Sequence, residues 1–255
     1  MSARISMVIG LLLASSAGDA QQTARETGKS EVTVAAAANL TDVFARIGQD
    51  FQAQTGVHPV FSFASTAQLT QQIENGAPFD VFAAADATHI GELERRGLVL
   101  AGSRAVYARG VLVLWVPPNS QARIDRIEDL ASPTIRFIAV AKPELAPYGQ
   151  ASVDTLKRLG MWDRLSPKIV YAENINGAKQ YGTSNNADAV FTAYSLVLKE
   201  NGKIIRIDES LHQPIDQELA IIANQKHVDA ARKFAAFLLT GAGRKILADY
   251  GYTVP

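Results

Sequence analysis

Asn39, the Ser65–Thr66 pair, Tyr148 and the Asn174–Ile175 pair each stand where a strand-like run hands over to a helical pattern. Amides, hydroxyls and small residues at such points are weak catalysts. They do, however, accompany the backbone N–H groups that a helix leaves unpaired in its first turn. A helix start carries roughly half a unit of positive charge, and several converging starts can hold an anion without lysine or arginine. Lys142 and Lys179 are near in sequence but read as solvated helix-end or loop charges. An all-neutral donor set suits a compact, fully ionised tetrahedral oxyanion. A protonated anion would want a carboxylate acceptor, since phosphate monoesters still titrate near pH ~6, and Glu173 is the one acid close by. The plainer reading is capping. Asn, Ser and Thr are ordinary N-cap residues, and Ser65 with Gln68 has the spacing of a capping box.

Other chemistry lacks candidates. The chain has no cysteine and no serine in a Gly-x-Ser-x-Gly turn, so nucleophilic hydrolysis has no nucleophile. "TGKS" at 27–30 has the tail of a phosphate loop, but Thr23 occupies the position of the earlier glycine and no strand precedes it. Of the histidines at 58, 89, 212 and 227, only His89 has acidic neighbours, Asp86 and Glu92. That trio reads as the solvated first turn of a helix rather than a metal site. "NLT" at 39–41 matches a glycosylation sequon, but a strand–helix junction behind alanines is a poor glycan position.

The elements that must position these residues alternate between β and α, which predicts an α/β fold with largely parallel sheets. Strands are expected at 31–37, 57–64, 79–85, 111–118, 134–141, 168–172, 187–193, 202–208 and 217–223. Helices are expected from 39 and over 65–78, 86–98 and 148–160, with one long helix over 226–251. There is no repeat or polar linker. Either the chain crosses between two lobes, with 111–118 and 217–223 as crossing strands, or it forms one large doubly wound sheet.

Composition limits the partners. Lys plus Arg and Asp plus Glu both total 25, so no bulk field recruits nucleic acid or an anionic membrane. The first twenty residues combine Arg4, an apolar run over 5–14 and small residues ending at Ala20, which reads as a secretory signal cleaved near Ala20. A polar leader follows over 21–30. Without cysteine the exported chain has neither disulfides nor a lipid attachment point, and the expectation is a free periplasmic monomer.

At the same junctions, "AAANLTDVF", "FASTAQLTQQIENGAPFDVFAAAD", "APYGQASVDTLKRLGMWDRLSPKIV" and the closing "YGYTVP" resemble the periplasmic molybdate-binding proteins of ABC importers. The likeness runs from about Glu31 to the C-terminus. It implies the two-lobed type II periplasmic binding protein fold, with discontinuous lobes joined by two crossing strands: 31–108 plus 217–255, and 109–216. Carried over, the anion contacts are the Asn39 side chain, a hydroxyl from Thr66 (or its neighbour Ser65), and the backbone N–H groups of Tyr148 and Ile175. A tyrosine used by some members matches Ala193, so the chain either binds without it or uses Tyr194 after a one-residue shift. Asn39 would then be both a helix-start residue and an NH₂ donor to the oxyanion.

The resemblance implies a non-enzymatic receptor that passes molybdate, and tungstate, to the membrane permease of an ABC importer, with no cofactor and no protein-held metal cation. The alternatives are a receptor for sulfate or another tetrahedral oxyanion, and, from a different class, a periplasmic enzyme acting on a small anion. A sensor domain is disfavoured because no DNA-binding helix pair precedes the fold.

Overall fold

The computed structural model describes residues 30–255; the signal sequence, the "TGKS" segment up to Lys29 and most of the leader lie outside them. Ten strands form two five-stranded sheets. The first has the order β2-β1-β3-β10-β4, from β1 (Glu31–Ala37), β2 (His58–Ala64), β3 (Val81–Ala83), β4 (Ala105–Gly110) and β10 (Ile215–Ile221). The second has the order β7-β6-β8-β5-β9, from β5 (Leu112–Val116), β6 (Ile138–Ala141), β7 (Ile169–Ala172), β8 (Ala189–Ala193) and β9 (Lys203–Arg206). Each sheet is flanked by helices, α1 (Thr41–Thr55), α2 (Thr66–Glu74), α3 (Thr88–Arg95), α8 (Val228–Leu239) and α9 (Gly241–Asp249) at the first, α4 (Pro147–Arg158), α5 (Trp162–Leu165), α6 (Ile175–Thr183) and α7 (Tyr194–Val197) at the second. This is the two-lobed fold, not one doubly wound sheet.

The sheets are mixed rather than largely parallel. β1 pairs in parallel with β2 and β3, and β6 with β7 and β8, as crossover connections through helices allow. β10 runs antiparallel to β3 and β4, and β5 antiparallel to β8 and β9. A chain that leaves one lobe for the other enters the second sheet from the opposite end, so its strands must oppose the crossover strands. One crossing falls at the start of the strand proposed for it, and the return precedes the other. Val111 alone separates β4 from β5, and the return runs through 207–214.

Two further expectations are corrected. The helix expected over 226–251 is two, because Thr240 is extended (φ −124°, ψ 175°) and turns the chain before Gly241. Of the strand expected over 134–141, only Ile138–Ala141 joins the sheet.

The apolar stripe of α1 explains where the first junction sits. Val43, Phe44, Ile47 and Phe51 are buried at helical spacing. Phe44 and Phe51 meet Phe234 of α8 edge-on, with ring centroids 5.8 and 5.2 Å apart. That contact anchors α1 against α8, and the four alanines 35–38 carry the chain from β1 to α1 with no side chain larger than methyl.

Candidate anion site at four strand–helix junctions

The four junctions read from the sequence converge. A cavity of ≈ 10 Å³ is lined by Ala37, Ala38, Asn39, Ser65, Thr66, Ala85, Ala146, Pro147, Tyr148, Asn174 and Ile175. That is room for about one water-sized sphere. No lining residue carries a charged side chain. Glu173, the nearby acid, pairs with Lys142 outside the lining. Lys179 turns to Glu200 at 2.6 Å.

Each lobe contributes donors of a different kind. In the second lobe they are backbone groups. Pro147 is the first residue of α4 and Tyr148 the second, with Ala146 as N-cap; a proline there fixes φ where no N–H is needed. Asn174 caps α6, its Oδ1 accepting from Gly177 N–H at 2.9 Å, which leaves the Ile175 N–H at the mouth of the helix. In the first lobe, Ser65 is the N-cap residue of α2, and Gln68 Oε1 accepts from its backbone N–H at 3.3 Å, the capping-box bond, and from its hydroxyl at 2.8 Å. Thr66 Oγ1 accepts from Ala85 N–H at 3.2 Å, and among the described residues its own proton has no acceptor. Thr66 is therefore the hydroxyl with a proton to give.

Asn39 departs from its expected role as a cap. A 3₁₀ turn over Ala38–Leu40 precedes α1, so the N-cap position falls on Leu40, and Asn39 makes no capping bond. Its side chain enters a buried polar network instead. Nδ2 donates to Gln217 Oε1 at 3.0 Å and to the Tyr252 hydroxyl at 2.9 Å. Tyr252 in turn donates to the Asn39 carbonyl at 2.9 Å and accepts from Ser195 Oγ at 3.0 Å. Gln217 also meets the Tyr107 hydroxyl at 2.8 Å and donates through Nε2 to the Tyr148 hydroxyl at 3.0 Å. Burial pushes the phenols of Tyr107, Tyr148 and Tyr252 well above their ordinary value, so all three are neutral hydroxyls.

The Gln217–Tyr148 bond joins the two lobes, as does Ala67 N–H to the Leu145 carbonyl at 3.2 Å. Gly110, at the end of β4, is what lets the Tyr148 ring in. A Cβ there would overlap the phenol oxygen and come within 2.6 Å of Gln217 Nε2.

Tyr194 is not among the lining residues. Its ring packs against Gly251, whose φ of +84° and missing side chain make the space, and Arg206 stacks over it at 4.3 Å. Sequence reading missed Tyr107, Ser195, Gln217 and Tyr252. Gln217, between Asp216 and Glu218, carries no local signal; Tyr252 lay in the closing segment already noted for its likeness, without a role.

A larger cleft of ≈ 290 Å³ opens beside the site, lined in part by Asp86, His89, Glu144, Gln150 and Asp154. Its carboxylates repel an oxyanion, so the small neutral cavity is the better anion site despite its size. Asp86 accepts from the His89 backbone at 3.0 Å and sits 2.8 Å from His89 Nδ1, the helix-turn arrangement read from the sequence. Among the described residues no group of three metal-ligating side chains converges.

Comparison with known proteins agrees with this geometry. Residues 32–253 match the family model of the bacterial extracellular solute-binding proteins. The chain is 33% identical to the molybdate-binding protein ModA of Rhodobacter capsulatus, covering 97% of this chain and 93% of that one. It is 35% identical to ModA of Azotobacter vinelandii over 88% and 90%. The solved periplasmic molybdate-binding protein of A. vinelandii superposes with a TM-score of 0.84 at 30% identity, over 88% of this chain and 99% of that one. The sulfate-binding protein SubI of Mycobacterium tuberculosis shares the fold, with a TM-score of 0.75 at 16% identity over 88% and 86%. With residues of both lobes lining one uncharged cavity, and with relatives matched over nearly their whole length, the chain belongs to the bacterial extracellular solute-binding proteins, in the family of the molybdate-binding protein ModA.

Proposed function

We propose that this protein captures molybdate, and tungstate by the same contacts, between its lobes in the periplasm and delivers it to the membrane permease of an ABC importer. The observation that carries this is the uncharged lining of the small cavity, which draws residues from four strand–helix junctions and includes no carboxylate. Such a set holds a fully ionised oxyanion and offers a protonated one no acceptor. The contacts are the Asn39 amide, the Thr66 hydroxyl with Ser65 as its capping neighbour, and the backbone N–H groups of Tyr148 and Ile175. Tyr194 is left out because its ring is engaged at Gly251.

The two lobes, between which the chain crosses at Val111 and again in 207–214, close on the anion as a monomer, and the change in φ and ψ is absorbed at those two places. Anion binding shifts the population toward the closed form by as much as its affinities for the two forms differ. Export follows from the N-terminal signal, with cleavage near Ala20.

Calorimetry of the mature protein against molybdate, tungstate, sulfate and phosphate tests the reading. Molybdate and tungstate should bind and raise Tm, since a ligand at a thousandfold excess over Kd stabilises by about 4 kcal/mol. Small-angle scattering should show a smaller radius of gyration with molybdate. Equal affinity for sulfate would make this a general oxyanion receptor, and no binding of any of the four would end the proposal.

A further inference from the structure

The buried network behind Asn39 does not balance its protons. Asn39 Nδ2 spends both hydrogens on Gln217 and Tyr252, leaving Oδ1 buried without a partner. A lone acceptor on a residue lining an anion cavity has the wrong polarity for the ligand. The Tyr107 hydroxyl has one proton but lies 2.9 Å from the Ala84 carbonyl and 2.8 Å from Gln217 Oε1, so one of these oxygen pairs has no hydrogen between them. The Tyr148 hydroxyl accepts from Gln217, while its own proton meets no acceptor among the described residues.

A half-turn of two amides repairs this. With Gln217 turned, Nε2 reaches Asn39 and the Tyr107 hydroxyl, Tyr107 gives its proton to Ala84 alone, and Tyr148 donates to Gln217 Oε1. With Asn39 turned as well, Oδ1 accepts from Gln217 and from Tyr252, and Ser195, 3.3 Å from the Asn39 carbonyl, donates there in place of Tyr252. Nδ2 is then released. Every buried donor in the group has an acceptor except the Asn39 amide hydrogens, which are what an oxyanion requires.

Taking the oxyanion reading above as given, we propose that Gln217 is a positioning residue for the anion site. In the anion-bound form it donates to Asn39 Oδ1 and thereby holds Asn39 Nδ2 toward the ligand. Gln217 is wholly buried on β10 and also binds the hydroxyl of Tyr148, whose backbone N–H comes from the opposite lobe. The bond between them forms only when the lobes meet and Gly110 leaves the phenol room. The polarity of Asn39 is thus coupled to closure through a residue that never touches the anion.

Side-chain amide NMR of the wild-type protein reads the turn directly. On titration to saturation with molybdate, the Gln217 NH₂ protons should show cross-relaxation to the Tyr107 ring and none to the Tyr148 ring. The Asn39 NH₂ resonances should move on the same titration. Gln217→Met should keep the far-UV circular dichroism and weaken molybdate about tenfold, the loss of roughly one net hydrogen bond. Adding Asn39→Ala to Gln217→Met should then weaken binding less than it does in wild type. If the Gln217 NH₂ protons face the Tyr148 ring with molybdate bound, or Gln217→Met binds like wild type, the inference falls while the receptor reading stands. If Gln217→Met does not fold, the wild-type spectra decide alone. If calorimetry shows no oxyanion binding by wild type, both fall together.

Discussion

Asn39 and Asn174 are the same residue type at the same place in a strand–helix junction, one in each lobe, and they do different work. Asn174 is extended (φ −150°, ψ 173°) and caps α6 through Oδ1. Asn39 lies within a 3₁₀ turn, is 1% exposed, and caps nothing. The second lobe therefore satisfies its own cap and presents backbone N–H groups, while the first presents side chains held from behind by Gln217 and Tyr252. Three residues of extra turn before α1 make the difference, because they move the cap position past the asparagine. A helix-cap residue type marks a junction but does not say whether its side chain is spent there.

The largest effect expected from this contrast is in substitution of the two asparagines. Asn39→Asp should abolish molybdate binding in calorimetry, since like charges a few ångströms apart in a water-poor site cost several kcal/mol. It should also lower Tm, because the new carboxylate is buried without a cation and has no capping role to offset it. Asn174→Ala should cost about 1 kcal/mol of stability from the lost cap, with affinity weakened by less than tenfold. Binding that survives Asn39→Asp and disappears in Asn174→Ala would reverse the assignment of the two lobes.

Smaller effects separate the adjacent hydroxyls. Thr66→Val removes one neutral donor and should weaken molybdate by about 0.5–1.5 kcal/mol, or roughly two- to tenfold. Ser65→Ala should mainly cost stability, about 1 kcal/mol of cap energy, with little change in affinity. Isothermal titration paired with thermal melts of both variants measures the split. A larger affinity loss in Ser65→Ala would transfer the donor role to Ser65.

The smallest expected effect is none. Every proposed donor is neutral in both lobes, so affinity should stay flat from about pH 6 to pH 9, as measured by titration across buffers. Stability has a window above that. Tyr107, Tyr148 and Tyr252 have folded values raised by burial. The unfolded chain ionises them above about pH 10, their ordinary value, so their contribution is full below that and lost as pH rises further. Tyr107→Phe should flatten part of the alkaline fall in Tm. An affinity that changes between pH 6 and 9 would point to a titrating group at the site.

Much of this was written locally. Alternation of β-branched runs with helical spacing determined the α/β class, because side-chain periodicity is set by each element's own geometry. The alanine corridor at 35–38, the Ser65–Gln68 box and the proline before Tyr148 marked the junctions, since caps and first-turn prolines depend only on neighbours within a turn. Strand direction, the return crossing at 207–214, and the break at Thr240 were not legible, because each depends on which sheet a segment joins. The network behind Asn39 was least so. Its partners Gln217 and Tyr252 lie 178 and 213 residues away. A hydrogen bond across that span leaves no periodicity and no spacing in the chain; it exists only because two sheets and a returning C-terminus bring its ends within 3 Å.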